Sequence, residues 1–291
     1  MNIKLITLLL ATGASAWSHA APIAITNDNV GAYGFVYFEY AQDFNTLASS
    51  TSSNNTTSTP WANDNTLSGW SLFNKDNAAI SSYIANAGGA SNGSFYSFGS
   101  TSNDVADRAL GSVASNASYF GAPANGAAAG YIALAVTNQS SANIRSFNLS
   151  YDGEQWRSAA TVAQSLTVQY GFGDTFATVS SWTAAGSAFD FTSPALGVFP
   201  PTRNGNLAAN RVAGLGGTVT FPNWTTGQNV VWAPGQTLWV RWTDLNDAGN
   251  DHGLAIDNVT FSVAVPEPSS YALALAGLAV AGLVARRRKA A

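Results

Sequence analysis

Apolar and polar side chains alternate with a period of two along most of the chain between residues 21 and 264. The alternation is clearest at 131–137, 147–151, 166–170 and 255–263, and clusters of Gly, Pro, Asn and Asp separate these segments. Successive side chains of a strand point to opposite faces of its sheet, so each segment is predicted to be a strand. Together the strands predict one all-β domain at residues 21–264, an antiparallel sandwich of two packed sheets.

Two segments depart from this pattern. Residues 77–87 are the best candidate for a short helix. Residues 49–59 contain only Ser, Thr and Asn, and such low complexity predicts an exposed, mobile loop.

Composition narrows the possible functions. Charged residues are only 10% of the chain, and the body carries seven Lys and Arg against fifteen Asp and Glu, a net charge of −8. A nucleic-acid interface needs clustered basic residues, so nucleic acid is excluded as a partner. The chain has no cysteine, which excludes disulfides, thiolate catalysis and Cys-ligated zinc.

The N-terminus has the organisation of a secretory signal peptide. Lys4 supplies the positive charge, residues 5–16 form a short apolar segment, and Ser18-His19-Ala20 provides small residues for signal peptidase. Residues 1–20 are therefore predicted to be removed by a cut after Ala20, with a cut after Ala16 as the alternative.

The C-terminus, residues 265–291, has three parts in order. Residues 265–270 contain Pro266, Glu267 and Pro268, residues 271–285 are apolar and uncharged, and a basic end of four residues follows. The apolar part would span about 22 Å as a helix, against about 30 Å for the bilayer core, so it predicts a marginal transmembrane helix. Basic residues beside a span are retained in the cytoplasm, which places the body outside it. The predicted stop-transfer residues are Arg286, Arg287, Arg288 and Lys289.

This tail resembles the PEP-CTERM sorting signal of Gram-negative bacteria. The resemblance implies recognition by a membrane transpeptidase of the exosortase type and cleavage near Pro266-Glu267-Pro268. It also implies a transient or permanent membrane anchor and delivery to the cell surface or to an exopolysaccharide matrix. It concerns the destination of the protein and says nothing about the chemistry of the body.

The body resembles an exported bacterial β-sandwich module that occurs in PEP-CTERM proteins and ahead of domains in secreted nucleases. The resemblance covers nearly all of residues 36–263 and implies no activity. Its last strand is also similar to that of jelly-roll binding domains, so the expected fold is an antiparallel, jelly-roll-like sandwich. The matching segments are 44–47, 69–70, 96–100, 107–112, 151–157 (YDGEQWR), 191–194, 239–244 (WVRWTD) and 253–259 (GLAIDNV).

One loop, residues 244–251, concentrates the hard oxygen ligands that suit Ca²⁺. It is not an EF-hand, because Ala248 and Ala255 occupy the fifth and twelfth positions. The alternative is a polar hairpin loop whose side chains bind local backbone. The candidate ligands of a structural Ca²⁺ site are Asp244, Asn246, Asp247, Asp251 and Asp257, with Asn250 as a further possibility.

Strand parity assigns Asp257 to the same face as Ala255, Val259 and Phe261, where a carboxylate needs a partner. Arg108 is one possible partner, because it also lies in an apolar segment. The preferred interpretation is a structural ion-pair network that joins the sheets through Glu154, Arg157, Arg241 and Asp257.

The residues offer little support for an enzyme. Gly89, Ser91 and Gly93 satisfy a nucleophile-elbow pattern, but that pattern requires a strand and a helix on either side. His252 is the only histidine after the signal peptide, and no nucleophile is identifiable beside it. The sequence predicts a non-catalytic surface or extracellular-matrix protein. A polysaccharide-binding module is the alternative, and a glycoside hydrolase is third.

Overall fold

The computed structural model describes residues 23–30, 37–102, 104–115, 117–222 and 227–264. The signal peptide predicted at 1–20, the sorting residues and the helix predicted at 271–285 lie outside these ranges. Within them, no helix has the length and apolar character needed to cross a membrane.

Strands provide most of the regular structure in the described ranges, and the helical segments are 3₁₀ turns of three residues each. The strands are β1 (Ile23–Ile25), β2 (Tyr37–Gln42), β3 (Ser58–Pro60), β4 (Trp70–Asn74), β5 (Ser82–Asn86), β6 (Ser94–Phe98), β7 (Ala109–Val113), β8 (Ala128–Asn138), β9 (Ser146–Arg157), β10 (Ser165–Phe172), β11 (Thr183–Ala184), β12 (Phe191–Thr192), β13 (Arg211–Thr220), β14 (Thr237–Leu245) and β15 (Gly253–Ala264). The 3₁₀ turns are Asn27–Asn29, Ser118–Phe120, Phe176–Thr178, Ser187–Phe189 and Ala208–Asn210.

The strands form two sheets. The first has the order β1-β8-β14-β10-β11, with β4 added to β8 and β12 to β10; the second has the order β13-β9-β15-β7-β6-β5-β3, with β2 added to β15. The prediction of an all-β body is confirmed. The prediction of purely antiparallel sheets is wrong, because β1 pairs with β8 and β5 pairs with β6 in parallel. Residues 87–93 carry the chain from the end of β5 back to the start of β6, so that the two strands run in the same direction.

The two sheets pack face to face through aromatic side chains. Tyr151 on β9 meets Trp242 on β14 edge-on, with ring centroids 5.6 Å apart, and Phe147 meets Tyr170 at 5.7 Å. Trp242 also stacks on Trp70 of β4 at 5.6 Å. All five side chains belong to one buried cluster, so the body is a two-layer sandwich with a shared core.

A bulge in β15 reverses the alternation on which the placement of Asp257 depended. The pairing with β9 shifts register between Asp257 and Thr260, and Asn258 has a positive φ of 49°. Ile256 before the bulge and Val259 after it both lie in the shared core. Asp257 therefore lies on the side of the second sheet that faces away from that core, although it is still buried there. The face predicted for it is wrong because a bulge adds one residue to the strand.

The helix predicted at 77–87 is also wrong. Ser82–Asn86 forms β5, whose Tyr83 and Ile84 are buried. Cross-strand pairing with β6 on one side and β3 on the other overrides the weak local preference. Residues 49–57 form an irregular segment that leads into β3, which begins at Ser58, and most side chains of 49–59 are exposed.

Candidate functional site

The carboxylates of the predicted calcium loop point to different partners. Asp244, at the end of β14, is buried and accepts a hydrogen bond from the Ser112 hydroxyl across the two sheets at 2.6 Å. Burial raises the pKa of Asp244 well above its usual range. Asp251 accepts a hydrogen bond from the backbone N–H of Asp247 at 2.8 Å, and burial raises its pKa to about 7.

The amides of the loop have structural partners as well. The Asn246 side chain donates to the Pro123 carbonyl at 2.9 Å, and Gln164 donates to the Asn250 carbonyl at 3.0 Å. Asp257 lies on β15, beyond the loop. No group of three or more His, Cys, Asp or Glu within the described ranges is arranged to hold a metal ion. The predicted calcium site is therefore not supported by the described residues, in which the side chains of Asp244, Asn246 and Asp251 bind protein groups.

We expect Ca²⁺ to leave the stability of the protein unchanged. A cation that binds only the folded state at a hundredfold excess over Kd would raise the free energy of unfolding by about 2.7 kcal/mol. Melting curves in EDTA and in excess Ca²⁺ should therefore coincide, and Asp247→Ala should respond like the wild type. A calcium-dependent rise in Tm that Asp247→Ala abolishes would contradict this geometry.

The predicted ion-pair network does not form. No ion pair within 4.0 Å joins any two of its four residues; the pairs found in the described part are Lys75–Asp76 and Arg211–Asp152. Arg157 donates to the carbonyls of Gly88 and Gly89 at 3.3 and 3.0 Å. Arg241 lies on the other sheet and donates to Gln169. The physical reason is that the arginines face separate surfaces of the sandwich.

Glu154 and Asp257 are the members of the network that the structure brings together. They lie on the neighbouring strands β9 and β15, where Glu154 pairs with Ala255, two residues before Asp257. Glu154 is 1% exposed and Asp257 is 2% exposed. Glu154 Oε2 accepts a hydrogen bond from the Trp156 indole at 2.9 Å, whereas Glu154 Oε1 and Asp257 Oδ1 have no hydrogen-bond partner among the residues that the structure describes. Burial raises the pKa of Glu154 to about 7 and that of Asp257 to about 8, and the charge of Glu154 contributes to the latter.

Arg108, the other candidate partner of Asp257, donates its hydrogen bonds to Ser97 instead. Its guanidinium donates to the Ser97 hydroxyl at 2.9 Å and to the Ser97 carbonyl, and it is 1% exposed. Burial lowers the pKa of Arg108 to about 10. It serves to bridge β6 and the start of β7.

His252 has a structural role in the described structure. Its Nδ1 accepts from the backbone N–H of Ala159 at 2.9 Å, so the other ring nitrogen carries the proton and contacts the Val162 carbonyl at 3.2 Å. Burial lowers the pKa of His252. Both ring nitrogens hold the loop between β9 and β10, and neither is directed at a nucleophile.

The nucleophile-elbow pattern lies in the loop between β5 and β6, with no helix after it. The backbone N–H of Gly89 donates to the Ser53 carbonyl at 2.8 Å. The strand–turn–helix geometry that the pattern requires is absent from this described segment.

A cleft of about 400 Å³ opens beside His252. Residues 159–164 and 247–250 form its walls together with Val198. Val162, which lines the cleft, is 72% exposed, so part of the wall presents an apolar side chain to solvent. Sequence reasoning missed this cleft; the only available signal was the occurrence of large apolar residues in Ala-, Gly- and Pro-rich loops.

A second feature that the sequence did not reveal lies on the outer face of the first sheet. Phe73, Tyr131, Phe176 and Trp239 form an aromatic cluster there, separate from the shared core, and Trp182 packs against it. Beside this cluster is a smaller cavity of about 140 Å³, lined by Asp64, Ser71, Ala135, Asp174, Thr237 and Trp239.

Three comparisons relate the chain to known proteins. Residues 264–289 match the family model of the PEP-CTERM protein-sorting motif. No curated protein matches the chain.

Among solved structures, the chain is similar to the enzymatically active domain of tailspike protein 4 from bacteriophage CBA120, with 12% identity, a TM-score of 0.31 and coverage of 67% of this chain and 19% of that one. It is similar to a cleaved adhesin domain of Lys-gingipain from Porphyromonas gingivalis, with 12% identity and a TM-score of 0.35. The match covers 71% of this chain and 98% of that one. It is also similar to an arabinose-bound α-L-arabinofuranosidase, with 13% identity and a TM-score of 0.34. That match covers 84% of this chain and 30% of the other. At these TM-scores the similarities support no argument about this chain.

The family match agrees with the tail that the sequence predicted and begins at Ala264, the last residue of β15. Residues 264–289 are a PEP-CTERM protein-sorting motif, carried by a body of two packed, mixed β-sheets.

Proposed function

We propose that this protein is a non-catalytic surface or extracellular-matrix protein, exported and then sorted through its tail. The observation that carries the proposal is the sorting motif, which marks the chain for export and for an exosortase-type partner. The motif starts where β15 ends, so cleavage near Pro266-Glu267-Pro268 removes no strand of the sandwich. The body can therefore remain folded after release from a membrane anchor.

We expect the mature protein to lack residues 286–291 in a host that has the matching transpeptidase. Intact-mass spectrometry of surface material should show a C-terminus near residues 266–268, because the basic end stays on the cytoplasmic side. Glu267→Ala should retain the tail, while Glu39→Ala, which alters a carboxylate of the body, should be processed normally. Surface protein that still carries Arg286 to Ala291 would contradict processing.

The environment of the carboxylates supports the non-catalytic part of the proposal. Glu154 and Asp257 have raised pKa values, as an acid catalyst would, but they are almost completely buried. Neither lines the cleft of about 400 Å³ or the cavity of about 140 Å³. A glycoside hydrolase needs two carboxyl groups that flank its substrate, and these two are not placed to reach one.

Polysaccharide binding is the second candidate, and one surface favours it. The outer face of the first sheet combines Trp182, an arginine and an amide beside a cavity whose lining includes Ser71 and Asp174. Aromatic rings stack on sugar rings, while polar groups bind the hydroxyls. Binding to a matrix polysaccharide would give the exported protein a function in the matrix that requires no catalysis.

A further inference from the structure

Arg241 occupies an unusual position on the outer face of the first sheet. Its guanidinium lies between two aromatic rings, 4.5 Å from the centroid of Tyr131 and 4.0 Å from that of Trp182. Both rings attract a cation through their faces. The stacking therefore fixes the plane of the guanidinium and leaves only its edge available to a ligand.

The edge of the guanidinium is only partly used. Nε and Nη2 both donate to the single oxygen Oε1 of Gln169, at 2.9 and 2.6 Å. Nη1 has no hydrogen-bond partner among the residues that the structure describes. An acceptor that approaches in the guanidinium plane would complete the set of donors.

Arg241 also lacks a counter-ion. No carboxylate of the described residues lies within 4.0 Å of it, although the body contains fifteen acidic residues. Arg211, by comparison, has Asp152 at 3.8 Å. Removing a charge from water without a partner costs free energy, and Arg241 is half-buried. An anionic ligand would recover that cost.

The surroundings favour a ligand that is rich in hydroxyl groups. Trp182 is half-buried, and the neighbouring Ser181 and Thr183 are exposed. Trp239, two residues before Arg241 on the same face of β14, lines the cavity of about 140 Å³ together with Ser71 and Asp174. Carboxylate and hydroxyl oxygens there can accept hydrogen bonds from sugar hydroxyls.

We propose that this surface, formed by Arg241, Gln169, Trp182 and Tyr131, binds the carboxylate of a uronate residue in an acidic polysaccharide. A carboxylate is planar and matches the edge of a guanidinium with two parallel hydrogen bonds. The adjoining sugar ring packs on the part of Trp182 that the guanidinium leaves uncovered, and its neighbour extends toward the cavity beside Trp239. The proposal rests on the proposed delivery of the protein to a surface or matrix, because that location supplies the polysaccharide.

The test is calorimetric titration of the exported protein, purified from producing cells, with oligogalacturonate. Binding should weaken at least tenfold when the oligogalacturonate is methyl-esterified, since esterification removes the charge and keeps the sugar. Arg241→Gln should weaken binding at least tenfold as well. Arg241→Lys should weaken it by a smaller factor, because the charge remains but the planar fork is lost.

Arg145→Gln is the matched control. Arg145 is an exposed arginine that also donates to an amide, Asn229, at 3.0 Å, so the variant makes the same chemical change away from the site. It should bind oligogalacturonate like the wild type. Circular dichroism should show that all the variants are folded, and the esterified ligand tests the site even if Arg241→Gln does not fold.

Three results would overturn the proposal. The first is no binding of oligogalacturonate, and the second is that the esterified ligand binds equally well. The third is that dextran sulfate binds as tightly as oligogalacturonate, which would indicate a general anion site. Mass spectrometry of the tail tests the sorting separately, so a correctly processed protein that binds no oligogalacturonate would refute this site and leave the proposed function standing.

Discussion

The protein should lose stability as the pH rises from about 5 to about 8. Glu154 and Asp257 are buried side by side, without a basic partner within 4.0 Å, and their pKa values are raised to about 7 and about 8. Between the unfolded and folded pKa values, the folded state holds protons that the unfolded state has released. Stability then falls as the pH rises, by about 1.4 kcal/mol for each unit of pKa difference in a single group.

The groups around this pair determine the size of the effect. The charges of Asp107 and Asp152 raise both pKa values further, whereas Arg211 lowers that of Glu154. Because the charge of Glu154 raises the pKa of Asp257, the contributions of the two groups to the pH dependence do not simply add. Asp251, with a pKa of about 7, changes stability in the same direction.

Urea unfolding between pH 5 and pH 9 measures this dependence. Asp257→Asn and Glu154→Gln keep the shape of the side chains and remove the charges, so each should reduce the slope and stabilise the protein above pH 8. Asp28→Asn, which alters an exposed carboxylate, should reproduce the wild-type curve. A double variant with the wild-type slope would show that this pair does not hold the protons.

Trp242→Ala should destabilise the protein by about 3–5 kcal/mol, the range for deleting a large aromatic side chain from a core. Trp242 is 1% exposed and connects the two sheets, since its ring stacks on Trp70 and meets Tyr151 edge-on. The deletion removes both contacts and leaves a cavity between the layers. Denaturant unfolding at pH 5, where the buried carboxyls are protonated, measures the loss.

Two variants calibrate this measurement. Trp242→Phe keeps an aromatic ring between the sheets and should cost clearly less. Trp182→Ala removes the same side chain from a half-buried position on the outer face, so it should also cost less. If Trp242→Ala lowered the free energy of unfolding no more than Trp182→Ala does, that result would contradict the packing of the two sheets through Trp242.

Local patterns accounted for the parts of this protein that depend on neighbours in the sequence. The sorting motif is recognisable because Pro266, Glu267 and Pro268, the apolar segment and the basic end follow one another without interruption. Alternation with a period of two identified four of the long strands, β8, β9, β10 and β15, since it reflects only which face of the backbone each side chain takes. Both inferences needed no knowledge of how distant segments meet.

The predicted sites failed where they depended on register. One extra residue at Asn258 moved Asp257 to the outer face, and nothing in the alternation of 255–263 signals that bulge. The network failed because Arg241 and Asp257 belong to different sheets, and strand order cannot be derived from the composition of a single strand. The polar residues of 244–251 suit a cation or the protein's own groups equally, and their partners in the fold, such as Ser112 for Asp244, lie far away in the sequence.

The sequence by itself therefore determined the sorting motif of the tail and the all-β class of the body, because short-range order encodes both. Tertiary structure alone decided which charges lie together. It left Glu154 and Asp257 on neighbouring strands and Arg241 between two rings, each without an oppositely charged side chain within 4.0 Å among the described residues. Strand order and register bring together residues that are far apart in the chain, and the free energy of a buried charge depends on those neighbours.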